Sequence, residues 1–240
     1  MNVENVNLGY DFITDMLVLE FALDDTRINT QRKDNPWLNR AALSLAEAMR
    51  LAASKALDIE FTELVAGYRL RENTNGFFVD IYLYDSLSSG AGYAGSVANE
   101  IERLLKETEL LLQNCDCGGS CHKCLKHYRN QHVHGLLDRV AALELLKWGK
   151  YGMVADTVSK EEQMKYVASL EHILEISGYN LNVSSDFITV KRRGIQKRIM
   201  VYPAMWAEPL EEGVIHISNF CIKYARPYAV QKIIENFRYK

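Results

Sequence analysis

The sequence predicts an α+β protein, with mixed helices and a short antiparallel sheet around a four-cysteine knuckle, followed by a smaller α/β module. Three observations indicate this class. Apolar residues recur at helical spacing, short runs of β-branched and aromatic residues are bounded by turn residues, and four of the five cysteines fall within residues 115–124. With 240 residues, of which 48% are hydrophobic and 25% charged, the chain can bury one large core or two smaller ones.

Strand and helix signals alternate in the first part of the chain. Runs of β-branched, aromatic and other apolar residues predict strands at residues 11–23, 64–71 and 76–85. Asn35 and Pro36 supply an N-cap and a proline at the first helical position, and helical spacing of apolar residues then continues to about Leu57. The glycine-rich turn at residues 90–95 opens a second helix, which carries apolar residues as far as Leu112.

The segments after the cysteines predict three more helices and three more strands. One helix begins after Gly135 and extends to Trp148, while Ser159 and Glu162 form a capping box for a helix that ends at Gly178. The later elements are predicted as strands near residues 187–191, 198–202 and 214–224 and a last short helix from Pro227.

A change in composition after Trp148 separates two predicted domains. We expect a first domain at residues 1–153 and a small α/β module of unknown role at residues 154–240.

The net charge of -3 argues against a uniformly basic nucleic-acid-binding protein but leaves room for local basic patches. No apolar run approaches the ~20 residues that span a bilayer, and no signal-peptide pattern is seen, so a cytoplasmic protein without a membrane partner is expected.

The most informative motif is the spacing of Cys115, Cys117, Cys121 and Cys124, which reads C-x-C-x3-C-x2-C. Four thiolates at this spacing can reach one tetrahedral ion, and the glycines at 118–119 let the backbone turn back. Zn²⁺ prefers such a shell, which leaves no open position for substrate, so a structural zinc ion is expected. An iron–sulfur cluster uses the same four thiolates and remains the alternative.

Several catalytic motifs are missing from the sequence. Residues 90–95 match G-x-G-x-x-G, but a cysteine knuckle follows where a dinucleotide-binding fold needs another parallel strand. A tight turn is therefore the preferred interpretation, with an anion on its backbone amides as the alternative.

Because Walker A, G-x-S-x-G and H-E-x-x-H sequences are also missing, we expect no catalytic activity of the chain's own. Cys221, alone in an apolar segment, is predicted to be a core residue.

Two basic clusters are candidate nucleic-acid contacts, with solvated turns as the alternative. The first comprises Lys123, Lys126 and Arg129 beside the cysteines. The second lies in a predicted hairpin around Gly194 and comprises Arg192, Arg193, Lys197 and Arg198. Tyr128 and Tyr202 are candidate stacking partners for nucleic-acid bases.

In combination, several short motifs resemble one known family. They lie at residues 8–15, 82–85, 90–93, 115–125, 128–130 and 137–139. The set resembles the MrfA-type zinc-binding domain, found at the C-terminus of bacterial superfamily 2 DEAD/DEAH-box helicases and in helicase-associated phage-defence proteins such as those of DISARM systems. The resemblance covers roughly residues 8–150, and it departs from the family where Ser88 and Ser89 replace Pro-Gly before Gly90.

The resemblance implies that Cys115, Cys117, Cys121 and Cys124 are zinc ligands and that a helicase core is the partner, in the same polypeptide or as a separate subunit. The expected function is an accessory zinc-binding domain of, or partner to, a DNA helicase in bacterial DNA repair or phage defence. It would give nucleic-acid guidance or subunit docking, with DNA as a further partner.

Two alternatives stay open. One is a pure protein-docking scaffold subunit, and the other is a nuclease whose site lies in residues 154–240. The carboxylates of that region are scattered: Asp186, Glu208, Glu211 and Glu212.

Overall fold

The computed structural model describes residues 11–31, 36–184 and 187–238. The chain divides into two compact units, each assembled from separate stretches of sequence. Unit 1 contains the residues up to Phe21, Ala42–Arg71 and Phe78–Leu143, and unit 2 contains Ala22–Ala41, Glu72–Phe77 and the residues from Glu144 onward. The predicted cap Asn35, the Leu8–Tyr10 part of the family motifs and Asp186 lie outside the described residues. The boundary near residue 153 stays a prediction.

Helices and strands both contribute, so the predicted α+β class is confirmed. The strands are β1 (Met16–Leu23), β2 (Leu64–Asn73), β3 (Gly76–Asp85), β4 (Asn180–Val183), β5 (Ile188–Arg192), β6 (Ile195–Tyr202) and β7 (Val214–Ser218). The α-helices are α1 (Trp37–Leu57), α2 (Tyr93–Asn99), α3 (Ile101–Gln113), α4 (Arg139–Tyr151), α5 (Lys160–Ala168), α6 (Glu171–Ile176), α7 (Asn219–Tyr224) and α8 (Arg226–Glu235). Short 3-10 segments occur at Phe61–Glu63 and Tyr128–Leu136.

The first sheet has three strands in the order β1-β3-β2. A two-residue turn joins β2 to β3, and the Asn73 side chain accepts a hydrogen bond from the Asn75 amide across it (2.8 Å). Val79, Ile81 and Leu83 alternate along the central strand and are buried, as expected for one face of a strand that packs on a core. The predicted hairpin is therefore confirmed.

The opposite face of this sheet carries a charged network. Asp80 of β3 is only 2% exposed because two arginines of β2 cover it. Arg69 donates to its carboxylate at 2.7 Å and Arg71 at 2.6 Å, and Arg71 also pairs with Glu20 of β1. The hydrogen bond from Arg71 lowers the pKa of Asp80, which stays charged in the folded protein.

The glycine-rich turn after β3 is organised by a single carboxylate. Asp85 is fully buried and accepts hydrogen bonds from the amides of Ala91 (2.6 Å), Tyr93 (3.1 Å) and Ala94 (2.8 Å). These are the amides that begin α2, so Asp85 caps that helix and occupies the position proposed for an anion. Gly90 has a φ of +72°, and a Cβ there would lie 2.7 Å from the Asp15 carboxylate. The tight-turn interpretation is supported and the anion alternative is not.

The helix predicted to follow this turn is broken in two. Glu100, with φ -114° and ψ 34°, separates α2 from α3. The helix predicted to begin after Gly135 instead begins at Arg139, since residues 128–136 form a 3-10 segment. The amides at the start of α4 donate to the Asp138 side chain, which caps the helix (Val140 at 2.9 Å, Ala141 at 3.2 Å).

The four-stranded sheet and helices α5–α8 form the C-terminal module, as predicted. The strand order is β4-β5-β6-β7, with antiparallel pairing except between β6 and β7, which are parallel. Its core is apolar and includes Val167, Leu174, Val190, Ile217 and Ile233, each at most 1% exposed. This module is held together by ordinary burial of hydrophobic side chains.

Three details of the module differ from the sequence prediction. The predicted capping box of Ser159 and Glu162 is present, but the helix it opens ends at Ala168 and a second one follows. The strand β4 was not predicted. The strand predicted at residues 214–224 ends at Ser218, whose hydroxyl accepts from the Cys221 amide and caps α7. Cys221 is a core residue as predicted, at 6% exposed, but in a helix.

No helix of the described residues is long and apolar enough to cross a bilayer.

Candidate metal centre

The four clustered cysteines converge on one point of unit 1. Their sulfur atoms all lie within 4.8 Å of one another. The separations are 3.5 Å between Cys115 and Cys121, 3.7 Å between Cys117 and Cys124, and 3.8 Å between Cys121 and Cys124. Sulfur ligands of a tetrahedral zinc ion lie about 3.8 Å apart, since each Zn–S bond is about 2.3 Å. A disulfide requires about 2.05 Å, so these are four free thiols at zinc-binding distances.

The backbone of the knuckle (residues 115–124) supports negative charge on these sulfurs. The Cys121 amide donates to the Cys124 sulfur at 3.2 Å, and the Lys123 amide donates to the Cys121 sulfur at 3.4 Å. The Lys123 hydrogen bond lowers the pKa of Cys121 to about 7. Burial raises the pKa of Cys124 to about 12, because a buried thiolate is costly without a cation beside it. A cation bound by the four sulfurs would supply that missing charge.

Arg139 fastens the knuckle to the helices on both sides of it. Its guanidinium donates to the carbonyl of Cys117 at 2.8 Å and to the carbonyl of Leu112, near the end of α3, at 3.0 Å. Its backbone amide donates to the Gly119 carbonyl at 2.7 Å. One residue at the start of α4 thus satisfies three carbonyl groups that no helix or strand partner reaches.

A buried polar network holds the segment that follows the knuckle. Asn130 is 1% exposed, and its amide donates to the Glu47 carboxylate and to the Leu125 carbonyl, both at 2.9 Å. Its side-chain oxygen lies 3.0 Å from the His127 amide and 2.9 Å from Nε2 of His134. All four hydrogen-bonding positions of this side chain are therefore filled.

His127 in this network is a structural residue and not a metal ligand. Its Nδ1 accepts the Arg129 amide at 3.2 Å, so in the neutral ring Nε2 carries the proton that faces Glu47 at 3.2 Å. Burial lowers the pKa of His127 although Glu47 opposes this, and the ring packs edge-on against Phe61 at 4.0 Å. His127 thus acts as a support for the fold.

Glu47 was not singled out by the sequence, although a signal for it exists. It is the only charged residue between Arg40 and Arg50 in α1, where the surrounding residues are small or apolar. It is 8% exposed. A lone carboxylate on a buried helix face needs partners, and the Tyr128-Arg-Asn130 motif supplies one of them.

The comparison with known proteins supports the metal centre. Residues 45–125, which include all four cysteines, match the profile of a family described as the MrfA Zn-binding domain. The predicted resemblance to that family is confirmed for this segment. The four-cysteine cluster of an MrfA zinc-binding domain fits a structural zinc ion.

Two relatives match parts of the chain. Druantia protein DruE of Escherichia coli is 37% identical over 186 residues, which are 73% of this chain and 10% of DruE. The chain thus spans about a tenth of the length of that relative. An uncharacterized protein of Methanocaldococcus jannaschii is 27% identical over 86 residues, covering 35% of this chain and 77% of that protein.

Two crystal structures of the DUF1998 helicase MrfA also match. One is bound to DNA, with a TM-score of 0.38 and 18% identity over 50% of this chain and 16% of the helicase. The other is bound to DNA and AMPPNP, with a TM-score of 0.39 and 16% identity over 55% of this chain and 15% of the helicase.

The first basic cluster lies on the surface around the knuckle. Lys123 and Arg129 are exposed, and Lys126 is half-buried. Tyr128 between them is 81% exposed, so its ring is free to stack on a base. The structure thus brings three cations and one aromatic ring to one short stretch.

The second basic cluster does not form one surface. In the β5–β6 pairing, Lys197 stands opposite Val190 and so lies on the core-facing side, together with Arg192. Arg192 donates to the Tyr179 hydroxyl at 2.5 Å, and its guanidinium lies 4.5 Å from the centre of that ring.

The remaining cations of the hairpin point elsewhere. Arg198 lies on the opposite face, where it pairs with Glu211 at 3.8 Å and stacks over Phe187 at 4.5 Å. Arg193 is exposed in the turn, with a φ of +46°. Tyr202 is only 4% exposed, so the expectation that it stacks on a base is wrong.

Proposed function

We propose that the chain is an accessory zinc-binding module of, or partner to, a DNA helicase in bacterial DNA repair or phage defence, in the cytoplasm. The observation that carries the proposal is the match of residues 45–125 to the MrfA Zn-binding domain, with four convergent sulfurs inside the matched segment. Helicase activity would then be supplied by another part of the same polypeptide or by a separate subunit.

In this proposal Cys115, Cys117, Cys121 and Cys124 bind one zinc ion that has a structural role. Four sulfur ligands leave no position for water, so the ion performs no chemistry. Between Gln113 and Arg139 the buried hydrophobic residues are only Cys124, Leu125 and Leu137. Hydrophobic burial there is small, and the apparent ~10 kcal/mol of zinc binding in model fingers is of the size needed to order such a segment.

Nucleic-acid guidance is assigned to the surface around the knuckle. Lys123, Lys126 and Arg129 supply phosphate contacts, and Tyr128 supplies a stacking ring. The hairpin cations Arg192, Arg193, Lys197 and Arg198 are weaker candidates, because several of them already have partners within the module.

DNA binding to the whole chain at low and rising salt tests this assignment. Fluorescence anisotropy with labelled single-stranded DNA should give a log–log salt slope of about -2, since three phosphate contacts each contribute about -0.7. Tyr128→Ala should weaken binding about tenfold or more, because stacking is worth about 1–3 kcal/mol per base. Arg129→Glu should weaken it to a similar degree, because it replaces a phosphate contact with a negative charge. Lys106→Glu, an exposed charge reversal on α3, is the matched control and should have little effect.

Two alternative functions give different results in the same assay. A pure docking scaffold binds no DNA at low salt, and neither Arg129→Glu nor Arg193→Glu then changes anything. A nuclease cleaves labelled DNA with Mg²⁺ or Mn²⁺. In the described part of residues 154–240 no three acidic, histidine or cysteine side chains lie close enough to hold a metal. Glu208 pairs with Lys232 at 2.6 Å, and Asp186 lies outside the described residues.

A further inference from the structure

A cleft of about 460 Å³ opens in unit 1 between α1 and α3, next to the knuckle. Its apolar lining comes from Ala52 and Ala56 of α1 and from Leu110 and Leu111 of α3. Leu110 is 37% exposed, and its neighbour Leu111 is half-buried. The cleft therefore presents a narrow apolar strip to solvent, while polar atoms supply the larger part of its exposed lining.

The strip has a definite place on α3. Leu104, Thr108 and Leu112 are buried and face the core of the unit. The cleft-lining residues of α3 are Arg103, Glu107, Leu110 and Leu111, which lie on a second stripe at helical spacing, and Asn114 follows directly after the helix. The cleft is thus bounded by a continuous side of the helix that the core does not use.

The charged residues around the strip are mostly basic. Lys55 of α1, Arg103 of α3 and Lys123 of the knuckle line the cleft and are exposed, against one lining carboxylate, Glu107. Arg103 also pairs with Glu100 at 2.8 Å, so Lys55 and Lys123 carry most of the positive charge offered to a partner. This excess contrasts with the net charge of -3 for the whole chain. An acidic partner is favoured at this position by electrostatic complementarity.

We propose that this cleft binds an acidic amphipathic helix of a partner protein. The inference rests on the docking part of the proposed function. A helix lying between α1 and α3 would place apolar residues at every third and fourth position on Leu110 and Leu111, with its carboxylates near the basic residues.

A nucleic-acid strand suits the cleft less well. None of the described residues that line it is aromatic, whereas single-stranded nucleic acids are bound largely by stacking on aromatic rings. Phosphates would also leave the apolar strip without a partner. The exposed Tyr128 beside Arg129 is the better nucleic-acid contact, so the two surfaces have separate roles.

The test uses the zinc-bound full chain and a fluorescein-labelled helical peptide with leucines at every third and fourth position and glutamates elsewhere. Fluorescence anisotropy should show saturable binding that weakens about tenfold in Lys55→Glu and in Leu110→Asp. Lys160→Glu is an exposed charge reversal on α5, outside the cleft, and Val140→Asp changes a side chain that is 40% exposed on α4. Both controls should bind within about twofold of the native chain.

Zinc content and far-UV circular dichroism of each variant show that it is folded before binding is compared. Equal binding of a peptide with lysine in place of glutamate, or of Leu110→Asp, overturns the proposal. So does displacement of the peptide by single-stranded DNA that depends on Lys55, because the cleft would then be a phosphate site. A dimer of the native chain that Lys55→Glu dissociates would place a second copy in the cleft and overturn it as well.

The two proposals fail in different ways. If the peptide does not bind but DNA binding still depends on Tyr128 and Arg129, the cleft inference is wrong and the proposed function stands. If the peptide binds as expected and DNA does not bind at all, the cleft inference stands and nucleic-acid guidance is wrong.

Discussion

The linker between α3 and α4 (residues 114–138) and the C-terminal module reach an ordered structure by different means. The linker buries few hydrophobic residues and is held by four sulfurs, the Arg139 clamp and the Asn130 network. The C-terminal module contains no such device among its described residues and depends on a continuous apolar core. A short segment with little to bury can thus be as well defined as a packed domain, provided that a metal ion and polar contacts replace the core.

Removing the metal should produce the largest difference between the two regions. Cys117→Ser, or treatment with a chelator, should abolish zinc binding and unfold the linker, because apparent zinc binding of about 10 kcal/mol is lost. Hydrogen exchange should become fast in residues 115–138 and stay slow in α5, β5 and β6. Cys221→Ser, a matched change in a cysteine outside the cluster, should leave the zinc content unchanged.

A core substitution should weaken the C-terminal module and leave the metal centre intact. Leu174→Ala should lower the free energy of unfolding by about 2–5 kcal/mol, because Leu174 is fully buried and the change leaves a cavity. Ile176→Ala, at a position in the same helix that is 75% exposed, should cost much less. Urea denaturation gives both values. Loss of zinc from Leu174→Ala under native conditions would show that the linker depends on the module's core.

The polar network around Asn130 should contribute less to the free energy of unfolding than the zinc ion or the core of the C-terminal module. Asn130→Ala removes the amide that donates to the Glu47 carboxylate and to the Leu125 carbonyl, while His127 still donates to Glu47, and it should cost about 1–3 kcal/mol in urea denaturation. Asn114→Ala removes an exposed asparagine from the same linker and should stay within about 0.5 kcal/mol of the native chain. Equal effects of the two substitutions on the free energy of unfolding would show that the network does not stabilise the linker.

The smallest effect concerns the charged face of the first sheet. Because the hydrogen bond from Arg71 lowers the pKa of Asp80, its contribution to stability is present above the unfolded pKa of about 4 and is lost as the pH falls through the lower folded pKa. Asp80→Asn should therefore be less stable at neutral pH, by about 1 kcal/mol, and lose less stability on acidification. Denaturation at several pH values tests this, with the exposed Asp25→Asn as the control that should follow the native chain.

Local signals in the sequence predicted most of the regular structure. The turn between β2 and β3 and the capping box of Ser159 and Glu162 lie where the sequence placed them, and α1 begins at Trp37, one residue after the predicted first helical position Pro36. The four cysteines were found from their spacing alone. Each of these signals depends on a few neighbouring residues and needs no knowledge of tertiary contacts.

The features that the sequence did not predict depend on contacts between distant residues. The segment 219–224 is short and apolar, a pattern that suits a strand or a helix equally, and the Ser218 cap decides in favour of α7. Glu47 and Asn130 are 83 positions apart, so their pairing becomes visible only in the fold. The cations around Gly194 form one cluster in the sequence but divide between the two faces of a hairpin, because side chains alternate along a strand.

X-ray absorption and elemental analysis of the purified chain test the role of the metal most directly. We expect one zinc ion per chain with four sulfur neighbours at about 2.3 Å and no oxygen or nitrogen ligand. Iron with inorganic sulfide, a metal-free chain that keeps residues 115–138 ordered, or disulfides among the four cysteines would contradict the account.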